Sequence, residues 1–311
     1  MLAVVLSALA VVALAYGLVA WVGAERLTRR RPPDPAATPA DFGLAFEDVH
    51  FVARDGVALG GVWIPPPGGA VGEVAVVICP GYNGSLDADI AYAAPLHAAG
   101  YGALLFDFRA HGRSSGEWVT LGDLERFDVL GAVDWLVARG VQRVALLGFS
   151  MGAGTAINAA PDHPAIVAVV ADGAFARPLS IVAGGLRERV RLGILTTPLA
   201  WGMLRMAAWR IGIDLRGAAP LTHVGHVAPR ALFLIHGGRD SYVSMTEIRD
   251  LYRAAGPPKS LWVLPEAGHR ETDARRPDEW WQRVLGFLAL YAPVKEDGWT
   301  TNPTASGPTA S

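Results

Sequence analysis

Cysteine is nearly absent from the 311 residues: Cys79 stands alone. A single thiol excludes an internal disulfide framework and any cysteine-based metal cluster. Lysine is almost as scarce, with Lys259 and Lys295 the only two, so arginine carries the basic charge. Neither sign is in excess, since 27 basic against 29 acidic residues leave a net charge of −2. That removes any global electrostatic case for a nucleic-acid partner or an acidic one. No internal repeat is visible, and no H-E-x-x-H or comparable spacing offers a metal site. Neither a metal nor a cofactor is expected, and nothing in the sequence speaks to oligomeric state.

Hydrophobic residues, by contrast, make up 51% of the chain, and the N-terminus supplies part of the excess. Residues 2–23 carry no charge, and Ser7 and Tyr16 are their only notable polar groups. As a helix such a run spans roughly 33 Å, enough for the hydrocarbon core of a bilayer. The competing reading is a cleaved secretory signal, which calls for a basic start, a shorter apolar core and a small-residue cleavage site. Here no Lys or Arg precedes the run, and Val22-Gly23-Ala24 is only a passable site. We therefore read residues 1–24 as a membrane anchor. Arg26, Arg29, Arg30 and Arg31 follow at once. By the positive-inside rule they put the main domain on the cytoplasmic side. Residues 25–41, with four prolines between 32 and 39, read as a stiff tether.

Beyond the tether, short apolar runs alternate with helical patterns. Residues 46–51 and 57–64 read as a hairpin around Asp55-Gly56. Buried strands are expected at 74–79, 103–106, 144–148, 166–171, 231–236 and 260–264. Helices are expected at 88–99, 124–139, 151–160, 245–255 and 278–291. This alternation predicts one α/β domain over residues 42–293, doubly wound on a mostly parallel sheet. Residues 174–221 interrupt it with 48 residues and no strand pattern, too long for a plain connection. They are expected to form a helical insertion roofing the carboxyl ends of the strands. Residues 294–311, polar and rich in Gly, Pro, Ser and Thr, read as a disordered tail.

Chemistry is concentrated at Gly148-Phe149-Ser150-Met151-Gly152, between an apolar run and a helical stretch. This is G-x-S-x-G in strand–turn–helix context, a turn so tight that its serine is strained and only hydrogen fits at the flanking glycines. Five residues alone also describe an ordinary Gly-rich turn, so the pattern needs an acid and a base. Asp240 follows the strand ending near His236, and His269 follows the strand ending near Leu264. Three post-strand loops on one parallel sheet converge on one face. A serine hydroxyl is a poor nucleophile at neutral pH; His269 would take its proton and Asp240 would orient the imidazole. Asp172 also follows a strand and is the alternative acid. His111 and His236 flank the site within loop motifs, where bonding the loop is the simpler role. His97 lies in a helical pattern, and His163, His223 and His226 have no evident partner.

An oxyanion needs two preorganised donors. The N–H of Met151, after the serine, is one candidate; the second should come from the loop after the third strand. There Cys79-Pro80-Gly81-Tyr82-Asn83-Gly84 offers the N–H of Tyr82, whose ring serves equally well to line a pocket or to pack.

With these residues the chain resembles a serine hydrolase of the α/β-hydrolase superfamily over roughly residues 46–292. Asp107-Phe108-Arg109-Ala110-His111-Gly112-Arg113-Ser114 is similar to the superfamily's D-x-R-G-H-G-x-S loop. The stretch Gly122 to Val129, with Asp134-Trp135-Leu136, resembles the helix that follows in its serine aminopeptidase and lysophospholipase-like branch. The resemblance implies Ser150 as nucleophile, Asp240 as acid and His269 as base, and hydrolysis of an ester, thioester or amide without cofactor. Two departures stand out: Ala110 replaces the usual Gly, and Pro80 stands where many members have His.

Within the insertion, residues 192–213 are mostly apolar, with Trp201, Met203, Leu204, Met206 and Trp209. They form either a cap helix packed over the catalytic domain or an acyl-binding lid facing the bilayer, with Arg187, Arg189, Arg191, Arg205 and Arg210 at headgroup level. The expected function is a membrane-tethered serine hydrolase of carboxylic esters, lipid-like acyl substrates among them. The alternatives are amide hydrolysis of the serine aminopeptidase type and a non-catalytic scaffold that binds through its cap.

Overall fold

The computed structural model describes residues 1–69, 72–190 and 192–294. The expected tail from Lys295 onward, like Arg191, lies outside these described residues. After α1 (Leu2–Thr28) come β1 (Glu47–Val52), β2 (Ala58–Ile64), β3 (Val74–Cys79), the short helices α2 (Leu86–Asp89) and α3 (Ala93–Ala98), and β4 (Gly102–Phe106). There follow α4 (Glu125–Ala138), β5 (Arg143–Phe149), α5 (Met151–Ala159), β6 (Ile166–Asp172), α6 (Pro178–Arg189) and α7 (Thr196–Ile211). The chain continues with α8 (Pro220–His223), β7 (Ala231–Gly237), α9 (Met245–Ala254), β8 (Lys259–Leu264), α10 (Thr272–Arg275) and α11 (Pro277–Tyr291).

The strands form one sheet in the order β1-β2-β4-β3-β5-β6-β7-β8. β2 runs antiparallel to β1 and β4, and the pairs from β4 to β8 are parallel. Alternate residues feed opposite cores. Val77, Leu146 and Val169 pack with Val133, Ile157 and Leu251 of α4, α5 and α9. Val76, Leu147 and Val170 pack with Leu96 of α3 and with Trp280 and Val284 of α11. Covering both faces is why the strands read as unbroken apolar runs, each fully buried aliphatic side chain contributing about 1.5–3 kcal/mol.

The helix expected over 88–99 is instead divided into α2, a single 3-10 turn at Ile90–Tyr92 and α3. Pro95 is the reason. Inside a continuous helix it would remove a hydrogen bond and clash with a carbonyl four residues back, whereas in the first turn of α3 its missing N–H costs nothing.

At 27 residues α1 is about 40 Å long and runs past the uncharged segment. Among the described residues it is the one helix long and apolar enough to cross a membrane. Its first four turns are exposed, but the last three dock on α7, burying Ala20, Ala24 and Thr28. Trp21 and Trp209 meet edge to face at 5.7 Å, and the Tyr16 hydroxyl donates to the Pro198 carbonyl at 2.8 Å. Small residues permit this approach: a Cβ on Gly23 would lie 2.7 Å from the Met203 side chain.

The proline-rich segment is strapped to the domain and does not act as a free spacer. Arg31 N–H donates to the Ala110 carbonyl, and the Asp34 carboxylate accepts from Ser85 N–H at 2.7 Å. Extended backbone that cannot form a helix has found its partners in the loops after β3 and β4. The insertion forms α6 and α7, as the absence of a strand pattern suggested. Their Val182, Ala183, Ala200 and Met203 form a small core of their own with Leu121 and Ala218.

Candidate active site

Ser150 joins β5 to α5 at φ 52°, ψ −109°, a conformation that costs a non-glycine residue about 1–3 kcal/mol. The surroundings enforce it. A Cβ on Gly152 would strike the Cys79 and Pro80 carbonyls, and one on Gly148 would lie 2.5 Å from the Gly152 carbonyl. Ser150 N–H is tied to the Asp172 carbonyl at 2.8 Å.

The loops after β7 and β8 bring two further side chains to this turn. His269 Nε2 lies 2.9 Å from Ser150 Oγ, and His269 Nδ1 lies 2.7 Å from Asp240 Oδ2. The other carboxylate oxygen, Asp240 Oδ1, accepts from the N–H groups of Tyr242 and Val243, each at 2.8 Å. The Asp240 carboxylate is fully buried, and the Tyr242 ring lies against His269 at 5.0 Å. A buried carboxylate facing Nδ1 holds the proton of the neutral ring there and turns the Nε2 lone pair toward the hydroxyl. Such an arrangement can take a proton from Ser150 and return it.

Met151 and Tyr82 line the same cavity as Ser150 and His269. The Tyr82 ring packs, while its hydroxyl donates to the Leu27 carbonyl of α1 at 2.7 Å. His111 braces the Tyr82 loop: its Nε2 lies 2.9 Å from the Tyr82 carbonyl and its Nδ1 2.8 Å from the Arg109 carbonyl. The rest of the Asp107–Ser114 loop is equally internal in its bonding. The Asp107 carboxylate accepts from Leu86 N–H and Arg113 N–H, and Arg109 forks between Asp128 and Asp55. Ala110 sits at φ 55°, a position where glycine would be unstrained.

The competing candidates are otherwise engaged. The Asp172 carboxylate is held by Thr272 Oγ1 and Trp280 Nε1 at 2.8 and 2.9 Å, and burial pushes it up to about 6. His236 belongs to β7 and not to a loop. It is buried beneath Asp240, its Nδ1 3.8 Å from Oδ2, and burial lowers its pKa. His163 pairs with Asp134 at 3.1 Å on the far side of α4. Burial raises the Cys79 thiol pKa far above its ordinary value. Among the described residues no group of three or more His, Cys, Asp and Glu is arranged to hold a metal ion.

Sequence reasoning did not foresee two parts of the site. Arg270 lies over the Phe149 ring at 3.9 Å, pairs with buried Asp89 at 3.3 Å, and shares a cluster with Tyr92, which bonds Asp273. Its position directly after His269 was the only available hint. The second is α1, whose Val22, Leu27 and neighbouring arginines line the cavity. No local pattern links a residue near position 22 to one at 150.

The family model described as alpha/beta hydrolase fold matches residues 74–188. An esterase of Pyrococcus furiosus has the same architecture, with a TM-score of 0.71 and 29% sequence identity over 85% of this chain and 98% of that one. The chain has the α/β-hydrolase fold. As in that fold, the sheet is mostly parallel, with helices on both faces. Two bacterial relatives of this chain are uncharacterised. A protein of Mycobacterium tuberculosis is 28% identical over 86% of this chain and 88% of its own length. The protein YfhR of Escherichia coli is 26% identical over 78% of this chain and 80% of its own.

Proposed function

We propose that this protein is a membrane-tethered serine hydrolase of carboxylic esters, with Ser150 as nucleophile, His269 as base and Asp240 as acid. One observation carries the reading: the continuous bonding from Ser150 Oγ through His269 to buried Asp240, at the floor of an accessible cavity. The esterase from Pyrococcus furiosus supports it as the structural neighbour of similar fold.

In this mechanism Ser150 Oγ attacks the ester carbonyl as His269 Nε2 takes its proton. The oxyanion that forms accepts hydrogen bonds from the N–H groups of Met151 and Tyr82, and Met151 N–H also lies at the positive end of α5. Collapse breaks the bond to the alcohol oxygen, which leaves with the proton from His269. The acyl group stays on Ser150. Water then attacks the acyl-enzyme, giving its proton to His269, and the carboxylic acid leaves as Ser150 recovers its own. Asp240 stabilises the imidazolium in both halves without itself being protonated. No metal or cofactor enters.

The membrane part of the reading rests on the length and apolarity of α1, and the arginines at its C-terminal end favour a cytoplasmic catalytic domain. A reporter fused after Ser311 should be active only in the cytoplasm; activity confined to the exported compartment refutes that orientation. Catalysis is tested with a fluorophosphonate probe. The native chain should be labelled and Ser150→Ala should not; a folded native chain that stays unlabelled overturns the assignment in favour of a non-catalytic scaffold.

A further inference from the structure

The cavity over Ser150 has a volume of about 1270 Å³, above the roughly 300–1,000 Å³ usual for small-molecule sites. Its walls divide by chemistry. Leu18, Val19 and Val22 of α1 face Ile181 of α6 and Leu199 and Met203 of α7 across an apolar channel. Toward the domain the lining becomes basic, with Arg26, Arg29 and Arg31 from the end of α1 and Arg189 from the end of α6. Val22 and Arg26 are four residues apart, so the apolar stretch gives way to the basic one about 6 Å further along the helix.

Among the described residues these basic side chains are not neutralised. The acid on the cavity wall, Asp89, is already paired with Arg270. Among the described residues no carboxylate forms an ion pair with Arg26, Arg29, Arg31 or Arg189, although Glu25 lies close enough to act on Arg31 through space. Burial, and then the neighbouring charges of Arg29 and Arg189, lower the Arg31 guanidinium to about 10. Arg31 Nε is buried with no partner, and the guanidinium stacks on the Tyr82 ring at 4.1 Å, beside the serine. Like charges held together over an open cavity are costly unless an anion joins them.

The apolar end has an equally specific setting. Val190 on the cavity lining is exposed, and so are Ile194, Leu195, Trp201 and Trp209 in the same insertion, Ile194 by 92%. Tyr16 bonds Pro198 and Trp21 meets Trp209, so the insertion sits beside α1 where its exposed turns give way to docked ones, and a bilayer holding the exposed turns lies next to this apolar surface.

Building on the hydrolase reading, we propose that the C-terminal half of α1 is a wall of the substrate site, and that the substrate is a single-chain long acyl ester carrying an anionic group. Its chain occupies the channel between α1, α6 and α7, and its phosphate or carboxylate lies against Arg29, Arg31 and Arg189. The ester carbonyl then reaches Ser150, and α1 is a specificity element as well as an anchor.

The test uses the full chain in uncharged detergent micelles. Binding is measured on the Ser150→Ala protein, so nothing is turned over, with palmitoylglycerol phosphate and uncharged palmitoylglycerol as probes. The phosphate should bind about tenfold more tightly, the product of three partly exposed ion pairs of about twofold each. Arg189→Glu, which removes one pair and adds a like repulsion, should cut that preference to about twofold, and Arg189→Lys should keep it. On the native chain, kcat/KM should climb from butanoyl to palmitoyl esters, by up to about fourfold per methylene while the channel fills. Val22→Trp should cut the palmitoyl-to-butanoyl ratio at least tenfold, with the fluorophosphonate label on Ser150 reporting that the site is formed. Equal binding of the two glycerides, or a chain-length ratio that Val22→Trp leaves unchanged, overturns the proposal. Selective binding by a chain that hydrolyses no ester and takes no label upholds the site and removes the hydrolase reading.

Discussion

Replacing Asp240 by Asn exploits an asymmetry in how that carboxylate is held. Oδ1 accepts two backbone N–H groups, from Tyr242 and Val243, so only an oxygen can occupy that position. The substituted amide must therefore aim its NH₂ at His269 Nδ1, where the native oxygen accepts at 2.7 Å. Nδ1 then has to be the acceptor, which moves the ring proton to Nε2, pointing at Ser150 Oγ. The base has no lone pair left for the hydroxyl. The same substitution in a serine protease costs about 10⁴ in kcat through this tautomer switch. We expect a loss of about 10³–10⁴, or roughly 4–5.5 kcal/mol of transition-state stabilisation. The two bonds to Oδ1 survive and the third is reversed, so unfolding free energy should change by less than about 1.5 kcal/mol. The assay is the second-order rate of fluorophosphonate labelling alongside ester hydrolysis, with urea unfolding as the control. Labelling within tenfold of native refutes the proposed roles of Asp240 and His269. So does a rate loss wholly explained by unfolding.

Three further perturbations probe the scaffold. Gly152→Ala pushes a methyl group into the Cys79 and Pro80 carbonyls and should cost about 2–4 kcal/mol in urea unfolding; a loss under about 0.5 kcal/mol means the elbow is looser than its geometry implies. Asp172 titrates near about 3.9 when unfolded and about 6 when folded, so the native state binds the extra proton and stability falls as pH rises from about 4 to 6, by about 2–3 kcal/mol. Asp172→Asn should flatten that decline and stabilise the protein at pH 8; an unchanged slope rules out Asp172 as its source. Arginines at Leu9 and Val12, exposed on the free turns of α1, cost about 2.5–3.5 kcal/mol each at the centre of a span. They should shift the chain out of the carbonate-resistant membrane fraction, and full retention there would falsify a spanning α1.

Much of the scaffold was legible because local rules govern it. The continuous apolar runs at 74–79 and 144–148 marked β3 and β5 because both faces of the sheet are covered. Pro95, by contrast, divided the helix expected over 88–99, since a pattern of apolar spacing takes no account of a missing N–H. Ala110 was readable as a departure from a glycine, but its positive φ was not. His236 reads as the end of a strand and lies in β7, but its burial against the Asp240 carboxylate was not legible.

By itself the sequence determined which elements form and the chain order of serine, acid and base, since propensity, periodicity and turn chemistry act over a few residues. Which acid faces His269 was a tertiary decision: Asp172 ends a strand and Asp240 follows one, and only packing hands Asp172 to Thr272 and Trp280. So was the second role of α1. Hydropathy describes its apolar turns as membrane-seeking, yet the docking on α7 at Trp21, Gly23 and Gly202 makes its last three turns a wall of the cavity over Ser150. Contacts between residues more than a hundred positions apart depend on shape complementarity of finished surfaces, a property that no local pattern encodes.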